Sequence, residues 1–186
     1  MAGQLFEFDA PERFVAGTVG QPGERTFFLQ ASSGARTVSV ALEKVQVAAL
    51  AEKLEELLDE VRRRQGSDSA VPAVAPPELE DAEPLAAPVE EEFRAGTLAL
   101  AWDDDTATVL VEAQSMEGEE PEETTEPDGT EFTGDMLRVR LSPGVARAFA
   151  KRALRVVAAG RPPCPLCGNP LEAEGHICPR HNGHRG

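Results

Sequence analysis

Apolar positions along the chain keep two rhythms. In Val47, Leu50, Ala51, Leu54, Leu57, Leu58 and Val61 they recur every three or four residues, the spacing that lines one face of an α-helix. Ala146, Phe149, Ala150, Ala153, Val156 and Val157 repeat that spacing near the other end of the chain. Ser142 stands where the second helix needs an N-cap, Pro143 at its first position, and Gly160 where it should stop. The other rhythm has period two: VSVAL at 38–42 and LRVRL at 137–141 predict half-buried strands, one ahead of each helix.

The two halves also echo one another. Phe14-Val15-Ala16-Gly17-Thr18-Val19 answers Phe93-Arg94-Ala95-Gly96-Thr97-Leu98, and Thr26–Ala31 answers Thr108–Ala113. Each half therefore predicts β-β-β-α, with LFEF at 5–8 as an added strand. One such unit leaves a sheet face and a helix stripe uncovered, whereas two units can bury them together. The expected fold is α+β, a duplicated β-β-β-α unit with pseudo-twofold symmetry: a first repeat over 1–65, a linker over 66–91, a second repeat over 92–160 and a tail over 161–186. Gly17 and Gly96 each stand alone inside a strand pattern, which predicts a bulge or a close approach rather than a phosphate cradle.

Charge changes the picture in two places. The formal net charge is −15, yet residues 66–92 carry eight acids and no base, and residues 117–131 carry eight more. Removing these 16 from the 33 acids leaves 17 against 18 bases, so the remainder is close to neutral. The first segment is rich in Pro and Ala, and the second is polar and of low complexity. Both compositions predict a solvated tether and an acidic loop (116–131) whose removal leaves the fold intact. With no apolar run of membrane-spanning length and no signal-like start, a cytoplasmic protein is expected.

The chemistry concentrates in CPLCGNPLEAEGHICPRH, residues 164–181, which holds all three cysteines and two of the three histidines. Cys164 and Cys167 flank a tight turn that aims two sulfurs at one point, half of a tetrahedral site. The other half must come from His176, Cys178, His181 or His184. His176 and Cys178 share one face of an extended segment, while Cys178-Pro179-Arg180-His181 mimics Cys164-Pro165-Leu166-Cys167 and brings His181 into competition. A redox C-x-x-C opens a helix, but RPPCPLCGNP follows one. A disulfide would strand the third thiol. The expected cofactor is Zn2+, structural and one per chain, since four protein ligands leave no open position.

In PERFVAGTVGQPG, TFFLQA, EEFRAGTLALAW, AGRPPCPLC and GHICPR the chain closely resembles an actinobacterial family of conserved cytoplasmic proteins of unknown function. The resemblance implies nothing about activity. It does imply the ligand choice, because the family tail keeps a G-H-x-C matching His176 and Cys178 without requiring histidine at 181. The implied metal set is Cys164, Cys167, His176 and Cys178.

Three functions compete at this level. The first is a non-enzymatic adaptor that binds another protein, since outside the tail the chain has no histidine or cysteine and it has no tyrosine at all. The second is nucleic-acid binding, because Arg147, Lys151, Arg152, Arg155, Arg161, Arg180 and Arg185 face only Glu172 and Glu174 after residue 144. Against it, Arg147, Lys151 and Arg155 fall at four-residue steps, as on any solvated helix face, and no aromatic in the tail offers a stacking platform. The third is thiol redox chemistry at Cys164 and Cys167. The ligand assignment predicts one zinc per chain by elemental analysis, lost in Cys164→Ser or Cys167→Ser, with His176→Ala weakening metal retention more than His181→Ala.

Overall fold

A computed structural model describes residues 3–21, 23–116 and 134–159. The strands are β1 (Leu5–Asp9), β2 (Arg13–Val19), β3 (Thr26–Ser33), β4 (Arg36–Leu42), β5 (Glu91–Asp103), β6 (Thr108–Ser115) and β7 (Met136–Leu141). The helices are α1 (Lys44–Gln65), after β4, and α2 (Pro143–Ala158), after β7. The fold is α+β, and β-β-β-α occurs twice in order. Ser142 caps α2 by accepting from the Val145 N–H at 3.3 Å. At the start of α1, Gln46 Oε1 accepts from the Glu43 N–H at 2.7 Å, and its amide nitrogen donates to the Ala95 and Gly96 carbonyls of β5. No helix among the described residues is long and apolar enough to cross a membrane.

All seven strands form one mixed sheet in the order β1-β7-β6-β5-β4-β3-β2. Neighbours are antiparallel except β4 beside β5 and β1 beside β7, which are parallel. β2-β3-β4 is followed across the sheet by β5-β6-β7 in the same order, with corresponding strands pointing the same way. The two halves stand side by side, head to tail, because a parallel β4–β5 pair needs the long crossover that α1 and the segment after it supply.

The sheet cannot be flat. β1 and β2 occupy its two edges, yet only Ala10, Pro11 and Glu12 join them. Four Cα steps reach at most about 15 Å, whereas seven strands laid flat would hold their edges roughly 29 Å apart. The sheet therefore coils until its edges approach. Side-chain contacts follow: Arg36, at the start of β4, donates to the Glu7 carbonyl of β1 at 3.1 Å and lies over the Phe8 ring at 4.6 Å. Phe6 of β1 stacks on Phe93 of β5 with ring centroids 6.3 Å apart.

The core fills the inside of this coil. Phe14, Ala16, Leu29, Val40, Phe93, Ala95, Val111 and Val139 pack there against Leu50, Leu54, Leu58 and Val61 of α1 and Ala146, Phe149, Ala150 and Ala153 of α2. Both Phe-x-Ala echoes point inward. The two glycines that follow them serve different ends. Gly96 falls at a register shift in the β5–β6 ladder, whereas at Gly17 the side chain of Leu85 occupies the space, 2.6 Å from where a Cβ would sit.

Leu85 belongs to residues 66–90, which do not behave as the expected solvated tether. Val71 is buried in the core, and Pro76 and Leu79 pack on Gly144 at the start of α2. This segment, called the strap below, runs over α2 and β2 before entering β5. Its acids and carbonyls are partners for arginines of the body, which composition alone does not reveal. The acidic loop expected at 116–131 lies, beyond Met116, outside the described residues.

Leu54, fully buried on α1, tests the core. Leu54→Ala should cost about 2–5 kcal/mol in urea unfolding, while Val45→Ala, on an exposed position of the same helix, should change stability by less than about 0.5 kcal/mol.

Candidate functional site

The predicted metal ligands Cys164, Cys167, His176 and Cys178, like His181, lie outside the described residues. The last described residue ahead of them, Ala159, accepts through its carbonyl from Arg25 Nη1 at 3.1 Å, beside the β2–β3 connection. Among the described residues, no group of three His, Cys, Asp or Glu side chains is placed to hold a metal ion.

Among the described residues, a polar constellation centres on Asp81 of the strap. Arg13, at the start of β2, grips its carboxylate with two bonds, Nε to Oδ2 at 2.6 Å and Nη2 to Oδ1 at 3.1 Å. The same guanidinium donates to the carbonyls of Glu83 and Pro84 at 2.8 and 2.9 Å. Arg152 of α2 approaches from the other side, reaching Asp81 Oδ1 at 3.2 Å, the Asp81 carbonyl at 2.7 Å and the Ala16 carbonyl at 2.8 Å. Arg155 adds a bond to the Asp81 carbonyl at 3.3 Å. A turn earlier on α2, buried Arg147 meets Glu55 and Asp59 of α1 and donates to the Pro72 carbonyl of the strap at 2.9 Å. Lys151 pairs with Glu80. A cleft of about 110 Å³ lies beside this cluster, between Phe14, Leu79, Asp81, Phe149 and Arg152.

Further along, the strap crosses the outer face of β2 and β3. There the fully buried Gln30 offers its amide to the backbone of Ala86: Oε1 accepts from the N–H at 2.8 Å and Nε2 donates to the carbonyl at 3.1 Å, while Nε2 also reaches Ser39 Oγ at 3.1 Å. A buried amide without such partners would be costly. Gly17, on neighbouring β2 and paired with Phe28, leaves the slot that Leu85 fills.

The electrostatics suit holding rather than proton transfer. Asp81 titrates below its ordinary 3.8, chiefly because Arg13 donates to its carboxylate; burial opposes this, and the Glu83 N–H and Arg152 add to it. Burial lowers the pKa of Arg152 from its ordinary value, and Asp81 counters it. The Asp81 carboxylate is therefore charged at neutral pH and lies below the range where a general acid or base is effective.

Sequence reasoning did not single out Arg13, Gln30 or Asp81, and it named Arg147 and Arg152 only among the bases of the nucleic-acid reading. It assigned Arg147 to a solvated helix face, and the structure corrects this: both Arg147 and Arg152 are buried. A signal was present, since Arg152 stands three residues after Phe149 and directly before Ala153, at the margin of the apolar stripe. A fixed charge there demands a partner, and the base-free acidic segment was the available source.

Comparison with known proteins places this geometry in context. Residues 6–178 match a family described as a protein of unknown function, DUF3090. The chain belongs to the DUF3090 family. No curated protein and no solved structure matches it. The DUF3090 match spans the body and the strap and runs through the tail as far as Cys178, stopping short of His181.

Removing the central carboxylate should loosen the strap. Asp81→Ala is expected to cost about 1.5–3 kcal/mol, the range for hydrogen bonds to charged groups. Because the folded pKa of Asp81 is depressed, its contribution is present above pH 3.8 and fades as pH falls through the lower folded value. The stability difference between the parent chain and Asp81→Ala, followed by denaturant unfolding, should narrow below that pH.

Proposed function

We propose that the chain is a non-enzymatic adaptor: an internally duplicated α+β body carrying a zinc-held tail that binds another protein. The observation carrying this reading is that Cys164, Cys167, His176 and Cys178, a complete set of tetrahedral zinc ligand types, all fall inside the family match, which ends before His181. The body supports it from the other side. Its polar cluster around Asp81 is occupied by the chain's own strap, and the Asp81 carboxylate stays charged at neutral pH.

The nucleic-acid reading loses ground on the same geometry. Of the seven bases after residue 144, Arg147, Lys151, Arg152 and Arg155 are engaged with Glu55, Asp59, Glu80, Asp81 and the Pro72 carbonyl. Only Arg161, Arg180 and Arg185 of that set remain for phosphates.

Elemental analysis with thiol titration separates the readings. The adaptor reading expects one zinc and three thiols that become titratable on chelation. Zinc-free protein with a reactive Cys164–Cys167 pair would move the assignment to thiol exchange. Chelation should also abolish capture of the protein partner while leaving the circular dichroism of the body unchanged, since the body has its own core and the tail, with only Leu166, Leu171 and Ile177 as large aliphatics, does not. Loss of the body's secondary structure on chelation would refute the adaptor arrangement.

A further inference from the structure

The strap lies on the body much as a peptide lies on a receptor. From Asp81 to Val89 none of its residues is buried, so little of its hold comes from apolar burial. Most of the hold is backbone recognition by side chains the body presents. Arg13 takes the Glu83 and Pro84 carbonyls, Arg152 and Arg155 take the Asp81 carbonyl, and Gln30 takes both backbone groups of Ala86. Two of these recognising side chains, Gln30 and Arg152, are themselves buried, 0% and 6% exposed. Selection by side chain occurs at two points four residues apart: the carboxylate of Asp81 between Arg13 and Arg152, and Leu85 in the slot left by Gly17.

We propose that the groove formed by β2, β3 and α2 is a recognition site for an extended acidic segment of a partner protein, with an aspartate followed four residues later by a leucine, and that the strap fills it in cis. Charge complementarity identifies the occupant: the groove supplies Arg13, Arg152 and Arg155, and the segment it holds comes from a stretch with eight acids and no base. Bidentate arginine–carboxylate and amide–backbone pairs are the contacts by which preformed grooves bind extended peptides. A segment held this way belongs to the least stable part of a fold and can open without global unfolding. Because the strap is tethered, its effective concentration is in the millimolar range, so a partner engages well only when the strap is displaced. The site needs no metal in the tail and goes beyond the adaptor reading above.

The test uses the full chain and a fluorescent synthetic peptide of residues 78–89, ELEDAEPLAAPV. A chain carrying Asp81→Ala and Leu85→Ser, with its strap weakened, should bind the peptide about tenfold or more tighter than the parent chain. The same peptide carrying Asp81→Asn and Leu85→Ser should lose about tenfold or more. Equal affinity of the two chains, or equal affinity of the two peptides, would overturn the proposal. Should the double variant fail to fold, hydrogen exchange on the parent chain decides. Excess peptide, at about ten times the millimolar range, should accelerate exchange of the Ala86 N–H, which Gln30 otherwise protects, and leave α1 unchanged. Unaltered exchange at Ala86 counts against the site. A dimer of the parent chain that dissociates on adding peptide would assign the groove to a second copy's strap and overturn the partner reading.

Discussion

The arrangement of this protein turns on arginine charges that α2 carries into the interior. A guanidinium cannot shed its proton to suit a poor environment, so burying one obliges the rest of the chain to bring it oxygen atoms. Arg147 draws in Glu55 and Asp59 of α1 and so fixes how the two helices meet. Arg152 reaches the Ala16 carbonyl on edge strand β2 and Asp81 on the strap. One helix thus ties together the other helix, an edge of the sheet and the crossover. The acidity of residues 66–92 is in part the counter-charge that makes this burial tolerable.

This explains why some of the structure was legible in sequence and some was not. The helices and strands were, because hydrophobic period depends on which face of an element meets the core. The inward Phe-x-Ala pairs at 14–16 and 93–95 were legible for the same reason, as was the meaning of a lone glycine in a strand at positions 17 and 96. The way the two halves join was not. Echoed sequence establishes that two segments resemble one another, but the parallel β4–β5 junction is a tertiary pairing that no local signal encodes.

The strap was the harder case. A base-free, Pro- and Ala-rich stretch has the composition of a solvated linker whether or not arginines elsewhere await its carboxylates. Likewise, bases at four-residue steps along α2 look the same on a wet face and on one covered by another segment. What separates these cases is tertiary, the pairing of two features about 70 residues apart in the chain. The candidate metal ligands were a different case: spacing nominated Cys164 and Cys167 and left the other two positions to His176, Cys178, His181 or His184, and it was the family resemblance that implied His176 with Cys178.

The pairing of β1 with β7 has a consequence for how the chain comes into being. Leu5 lies beside Met136 and Asp9 beside Arg140, so the first of the described strands joins the last of them. During synthesis β1 has no strand to pair with among the described strands until residue 141 has left the ribosome, and until then its two buried phenylalanines, Phe6 and Phe8, have no finished core to enter. Contacts this distant are among the slowest to form. Docking of β1 on β7 therefore belongs to the end of folding, and a nascent chain halted before β7 would present an open sheet edge to whatever surrounds it.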